Sequence, residues 1–336
     1  MDAAHLQQKL PAFLARQTGA REVTVENVYQ MTGGASREIW SLDAIVDGET
    51  IPMVLRSGSI GGVTTQVIPE YDLLKAAFEA GVPVPEPLYS GDDSLDLSFF
   101  LMRRIPGETL ARRLLRDDEY QPAREAMPAE LGAAAARIHA IPRERFEAMG
   151  LREPPPRTSP AASELEGIEQ TYRTLTPEPH LAFELAFRWL RRRLPDTDER
   201  TLVHGDFRVG NVIFGPEGLR SVLDWEGAHV GDPMEDLGWM CVRSWRFGGP
   251  KPVGGIGERE DLFRGYEQAS GRKVDAERVR YWEIFGNLRW GVICIGQAQA
   301  HLSGRHESIE LAAIGRRTVE TEVELMELME GPPDAG

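Results

Sequence analysis

Cysteine is nearly absent from this chain: 336 residues hold two, Cys241 and Cys294, each among apolar neighbours and neither in a Cys-x-x-Cys or Cys/His cluster. That excludes a disulfide framework and a thiolate metal site, and both read as buried thiols in a reducing compartment. Long apolar runs are missing too: no stretch approaches about 18 unbroken apolar residues, so no membrane-spanning helix is expected. The start, Met1-Asp2-Ala3-Ala4-His5-Leu6, has an early acid and no apolar segment of the kind a secretory leader carries, so a cytoplasmic protein is expected. Positive charge is in deficit, 38 Lys plus Arg against 53 Asp plus Glu, a net charge of −15. Such a surface repels phosphate backbones and anionic lipid, which makes nucleic acid and membrane poor partners. There is also no Walker A sequence and no complete Gly-x-Gly-x-x-Gly.

The remaining bulk properties are those of an ordinary soluble enzyme, 41% hydrophobic and 27% charged, long enough for one two-lobed unit or two domains. Against that background one stretch stands out. Arg200-Thr201-Leu202-Val203 reads as a short buried strand, and His204-Gly205-Asp206-Phe207-Arg208-Val209-Gly210-Asn211 follows it. Val212-Ile213-Phe214 and Ser221-Val222-Leu223 are apolar runs flanking the turn Gly215-Pro216-Glu217-Gly218, and the second run ends on Asp224-Trp225-Glu226. The pattern predicts a hairpin that sets Asn211 beside Asp224.

A potential base, a cation and two oxygen ligands on one short stretch suit phosphoryl transfer. Its loose, highly charged transition state leaves the protein to position partners and neutralise charge. Protein kinases use a base Asp, an Asn five residues later, and a separate Asp as second metal ligand. Asp206, Asn211 and Asp224 follow that order here. Mg²⁺ takes oxygen ligands and keeps waters, so one amide and one carboxylate suffice once nucleotide phosphates join. Arg208 is within reach of a transferring phosphate.

His-Gly-Asp-Phe-Arg-x-Gly-Asn with a following Asp-Trp-Glu resembles the aminoglycoside phosphotransferase superfamily, kinase-like enzymes that phosphorylate small molecules. Val54-Leu55-Arg56, Val82-Pro83-Val84-Pro85, Gly231-Asp232-Pro233-Met234-Glu235-Asp236-Leu237-Gly238 and Tyr281-Trp282-Glu283 extend the likeness, which is closest to the branch that includes kinase domains attached to some acyl-CoA dehydrogenases. The resemblance implies an α+β, protein-kinase-like two-lobed fold: a small antiparallel sheet lobe over residues 1–103, a hinge at 104–107, and a mostly helical lobe over 108–336. The catalytic loop is then 204–211 and the metal-binding segment 224–226. It implies ATP and Mg²⁺ as cofactors and a small-molecule hydroxyl as acceptor; the oligomeric state is left open between a monomer and a homodimer.

The rest of the chain fits that frame. Leu6, Leu10, Phe13 and Leu14 fall at helical spacing, and strands are expected at 23–25, 39–42, 51–55 and 97–102, with Asp47-Gly48 turning the second into the third. Thr32-Gly33-Gly34-Ala35-Ser36 lies between the first two strands, where backbone N–H groups of Gly33, Gly34 and Ser36 would cover nucleotide phosphates. Arg56 ends the third strand, where protein kinases carry a Lys that grips the α- and β-phosphates; Arg can do this bidentately, with Glu70 as its partner on the next helix. By resemblance, the backbone at Arg103 and Ile105 would hydrogen-bond adenine. Helices are expected at 130–141, 181–194, 259–269, 279–300 and 309–329, and the prolines at 153–160 read as an excursion within the helical lobe. Asp236 is expected to hold the catalytic loop and His139 to be structural; Trp239, Trp245, Trp282 and Trp290 either line an apolar cleft or, as their helical spacing favours, belong to the core.

Three functions remain in play: a small-molecule kinase, a nucleotide-binding pseudokinase suggested by the missing Lys, and a protein kinase. Against the last, no activation segment ending in Ala-Pro-Glu follows Asp224. The acceptor is left open between a hydroxyacyl-CoA, an aminoglycoside-like and a choline-like molecule.

Overall fold

Asp2 caps the first helix, α1 (Ala3–Thr18), by accepting a hydrogen bond from the His5 N–H at 2.8 Å, and Gly19 ends it in the left-handed region at φ 72°. The structure is a computed structural model that describes residues 2–31, 38–60, 63–64, 68–95, 97–176 and 178–330. Leu6, Leu10, Phe13 and Leu14 are all fully buried on one face of α1, and they pack on an antiparallel sheet. Its strands are β1 (Val23–Gln30), β2 (Ile39–Val46) and β3 (Glu49–Ser57), joined later by β6 (Pro87–Ser90) and β7 (Phe99–Arg103) in the order β1-β2-β3-β7-β6. Two-residue strands β4 (Ser59–Ile60) and β5 (Val63–Thr64) pair with each other before α2 (Ile68–Glu79). Asp47 and Gly48 both have positive φ, 48° and 89°, which matches the twist of the β2–β3 hairpin.

Strand side chains alternate between faces, and this decides where Arg56 lies. Trp40, Leu42, Met53, Leu55, Phe99 and Leu101 point to α1. Val54, Arg56, Phe100 and Met102 therefore belong to the opposite face, and Phe100 joins the larger core of the helical part.

That part runs through α3 (Ala111–Arg116), α4 (Gln121–His139), α5 (Pro160–Leu175), α6 (Leu181–Arg192), β8 (Thr201–Val203), β9 (Val212–Gly215), β10 (Gly218–Val222), β11 (His229–Gly231), α7 (Met234–Cys241), α8 (Arg259–Ser270), α9 (Ala276–Leu302), α10 (Ile309–Gly315) and α11 (Thr318–Glu330). Helices α4 and α8 cross at backbone contact: a Cβ on Gly132 would stand 2.0 Å from the Leu262 carbonyl oxygen, and one on Gly265 1.9 Å from that of Ala129. Cys241 and Cys294 are buried free thiols, each pushed up to about 12 first by burial. Among the described residues no helix is long and apolar enough to cross a membrane.

Two expectations need correction. The segment 309–329 is two helices, because the chain bends at Gly315, whose Cα packs against Ala298 on α9 and whose carbonyl accepts from the Thr318 hydroxyl at 2.9 Å. The prolines at 153–160 lead into a helix that the sequence reading left out, α5, whose start is nonetheless written in the chain. Ser159 is its cap and Pro160 its first residue. The excursion itself is pinned, with Arg200 donating to the Pro154 carbonyl at 2.8 Å.

Candidate active site

Between β8 and β9 the chain forms a loop closed by a short turn at Val209–Asn211. The hairpin of β9 and β10 returns it so that the Leu223 N–H donates to the Asn211 carbonyl at 2.8 Å, which places Asn211 and Asp224 side by side. His204 locks the two ends together. Its Nδ1 accepts from the Asp206 N–H at 3.3 Å, so the proton sits on Nε2, which donates to the Leu223 carbonyl at 2.9 Å. Gly205 has φ 76°, and a Cβ there would stand 2.2 Å from the Gly227 carbonyl oxygen; only glycine lets the loop touch the segment that follows Asp224.

Asp236, fully buried at the start of α7, holds this loop from below. It accepts from the backbone N–H groups of His204 at 2.8 Å and Gly205 at 2.9 Å, and faces His139 Nε2 at 2.9 Å. Burial alone would raise its carboxyl. The hydrogen bond from His139, the attraction of that ring and the His204 backbone N–H outweigh that and hold it below its ordinary value of 3.8. Its contribution to stability is therefore present above that value and is lost only as pH falls through the lower folded one. We expect Asp236→Asn to cost on the order of 3 kcal/mol in urea unfolding near neutral pH. The gap from the parent should close only in strong acid, and a gap independent of pH would remove the charge from the account.

Asp206 is held by three side chains. Arg208 Nε donates to Oδ1 at 3.0 Å, Trp239 Nε1 to the same oxygen at 2.8 Å, and Asn211 Nδ2 to Oδ2 at 2.6 Å. Asn211 Nδ2 also meets the Asp206 carbonyl at 3.0 Å, which leaves the Asn211 Oδ1 as the amide atom available to a cation. Asp224, at φ 63°, keeps its side chain 41% exposed on the same cleft.

Arg56 crosses from the sheet to meet it. The guanidinium is buried, pairing with Glu70 through Nε at 3.1 Å and, through Nη2, with Asp224 at 3.1 Å and Glu226 at 2.5 Å. Burial opposes its charge, yet the three carboxylates more than compensate and hold the proton more firmly than usual. Arg103 and Ile105 stand apart from this cluster. The Arg103 N–H is taken by the Glu86 carbonyl at 2.8 Å, so only its carbonyl is left to face a base. Arg104 between them donates to Ser41 Oγ and Asp43 Oδ1, both at 2.7 Å, fastening this crossing to β2. Gly33, Gly34 and Ser36 lie outside the described residues.

The cleft beside Asp206 and Asp224 has a volume of about 330 Å³, and its lining includes Arg208, Glu226, Trp239, Trp245, Arg289, Trp290 and Ile293. Three tryptophans thus wall the site, while Trp282 is core, 1% exposed. Arg208 stacks on Trp245 at 4.6 Å and Arg289 on Trp239 at 5.0 Å. Glu235 on α7 and Glu283 on α9, helix carboxylates of the kind a cationic acceptor would need, do not face the cleft. Each is buried and paired, Glu235 with His229 and Arg289, Glu283 with Arg246 and Arg259.

A model of the phosphotransferase enzyme family, APH, matches residues 32–281. The chain belongs to this family. Curated relatives include acyl-CoA dehydrogenase family member 11 of Pongo abelii, 30% identical over 248 residues, and member 10 of Mus musculus, 28% identical over 245. Each match takes in 70% of this chain but only 29% and 22% of those relatives, so this member spans less than a third of their length. Among solved structures, a Ralstonia eutropha protein classed with the aminoglycoside phosphotransferases superposes with a TM-score of 0.77 at 23% identity, covering 96% of this chain and 98% of that one. Aminoglycoside phosphotransferase APH(4)-Ia, solved with AMP-PNP and hygromycin B, gives 0.59 at 19% identity, covering 97% and 99%. The fold of this family member is thus kinase-like, with a small antiparallel sheet lobe and a helical part.

Proposed function

We propose that this phosphotransferase moves the γ-phosphoryl group of ATP to a hydroxyl of a small molecule, with Mg²⁺. The observation that carries the reading is a carboxylate, Asp206, fixed by three donors on the same cleft as Asp224, which Arg56 reaches from the sheet. Asp206 orients the acceptor hydroxyl and takes its proton late, since a loose transition state needs little early deprotonation. Arg208 steadies Asp206 and faces the transferring group, and Arg56 with Glu70 grips the α- and β-phosphates. Residues 1–103 serve as the nucleotide lobe, 104–107 as the hinge offering the Arg103 carbonyl and Ile105 N–H to adenine, and 108–336 as the helical lobe. Gly33, Gly34 and Ser36 cover the phosphates.

The donor set fits Mg²⁺: one carboxylate on Asp224 and one amide oxygen on Asn211, both hard ligands and adjacent through the hairpin. Bound there, the ion neutralises charge on the β- and γ-phosphate oxygens. Asp224→Asn, which keeps an oxygen but loses the charge, should strongly weaken the Mg²⁺-dependent tightening of ATP in calorimetric titration; unchanged metal dependence would place the ligands elsewhere.

For the acceptor, the walls favour one of the three candidates. A polycationic aminoglycoside would meet the guanidiniums of Arg208 and Arg289, while the carboxylates on the cleft are already paired, Asp206 with Arg208 and both Asp224 and Glu226 with Arg56. A choline-like cation would need open indole faces, and guanidiniums already cover those of Trp245 and Trp239. An apolar acyl chain carrying a hydroxyl suits the cleft best, in keeping with relatives that are acyl-CoA dehydrogenase family members. ATP consumption should therefore respond to hydroxyacyl-CoAs and not to choline or aminoglycosides. The reverse response would overturn the acyl reading, and none at all would favour a nucleotide-binding pseudokinase.

A further inference from the structure

His229 on β11 is 1% exposed and touches two acceptors at once. Its Nδ1 lies 2.9 Å from the Gly227 carbonyl oxygen and its Nε2 lies 3.2 Å from Glu235 Oε2. A carbonyl has no hydrogen to give and a carboxylate accepts, so both contacts are satisfied together only by a ring with hydrogens on both nitrogens. The charged groups around it are Glu235 on α7, Glu164 on α5, Arg152 before α5 and Arg289 on α9. Arg152 pairs with Glu164 and is 54% exposed, while Arg289 pairs with Glu235 at 3.3 Å. Each carboxylate of this trio with His229 already has a guanidinium, which argues against a metal held there. Burial works against the cationic ring, but Glu235 first and Glu164 after it outweigh burial and Arg152 and raise it above 6.5.

The two partners of the ring lead to the two sides of the catalytic apparatus. The Gly227 carbonyl presses on Gly205, at the close approach that joins the catalytic loop to the Asp224 segment. Glu235 pairs with Arg289, which stacks on Trp239, whose indole N–H donates to Asp206. We propose that His229 is a positioning residue for phosphoryl transfer: its doubly protonated ring bolts the Asp224–Gly227 segment to the catalytic loop and sets Glu235, Arg289 and Trp239 behind Asp206. This rests on the phosphotransferase reading above. A ring that loses its proton turns a lone pair toward either a carbonyl or a carboxylate, so one of the two links parts. The stabilisation is complete below about pH 6.5 and is lost as pH rises through the higher folded value. Turnover should show an alkaline limb that tracks the His229 ring, while binding of adenosine, which depends on the hinge, should not change with it.

The test combines ring ¹⁵N NMR of the full chain with pH profiles of kcat. At about pH 7 the parent ring should carry two protons, and Glu235→Gln should remove one of them. His229→Gln, with folding checked by thermal melting, should lower kcat on the order of tenfold and lose the alkaline limb. A singly protonated parent ring overturns the proposal, as does an unchanged limb in His229→Gln. Failure of transfer to every acceptor would remove the reaction that His229 serves. A ring still doubly protonated would then mark the fault as the functional reading and not the ring.

Discussion

Asp206→Asn should leave ATP binding close to that of the parent while turnover with the accepted substrate falls about 10²-fold or more. The amide keeps the size of the carboxylate, and its oxygen can still accept from Arg208 and Trp239. The second oxygen, which accepts from Asn211 Nδ2 at 2.6 Å, becomes an NH₂ and sets donor against donor. Asn211 should therefore shift slightly, so a small loss of Mg²⁺ affinity accompanies the large loss of rate. Single-turnover kinetics beside calorimetry separate the two effects. A variant that retains most of its turnover would take Asp206 out of the reaction.

Arg56→Ala should weaken ATP by about 1.5–3 kcal/mol, the range for a charge-assisted contact, and leave adenosine nearly unaffected, since adenosine depends on the hinge. The structure adds a second effect. Arg56 is the shared partner of Glu70, Asp224 and Glu226, so its removal leaves the buried Glu70 facing two further carboxylates across the cleft. Thermal stability should drop along with affinity. Arg56→Lys restores the charge but reaches fewer of the three at once, so it should recover part of each effect. Equal binding of ATP and adenosine by parent and Arg56→Ala alike would reduce Arg56 to a structural bridge.

The hairpin that pairs Asn211 with Asp224 was legible because each strand is local and its turn is written in Gly, Pro and Glu. The Arg56–Glu70 pair was legible through the protein-kinase pattern, in which a cation ending the third strand has its partner on the next helix. The donors around Asp206 were only half visible. Asn211 and Arg208 are near in sequence, whereas Trp239 arrives from α7 and Arg289 from α9. Helical spacing says that Trp239 and Trp290 share a face with apolar neighbours; it does not say that this face borders a cleft. Arg104 was passed over because its role lies in reaching back across the sheet to Ser41 and Asp43. Helix α5 was lost to its prolines, although Pro160 after Ser159 is a start signal as much as a break.

Asp224 sits at φ 63°, a region in which a side chain with Cβ is tolerated mainly when it is Asn or Asp. That narrows the paths along which this position can drift. A codon for Asp is one base from codons for Asn, Gly, His, Tyr, Glu, Ala and Val, but His and Tyr would put a ring into the cleft, and Glu, Ala and Val would strain the backbone as well as alter the ligand. Asn and Gly alone change the chemistry while sparing the turn. A descendant that abandoned metal-dependent transfer yet kept its fold should therefore carry Asn or Gly at this position, and sequencing across lineages that have lost the activity would reveal the bias.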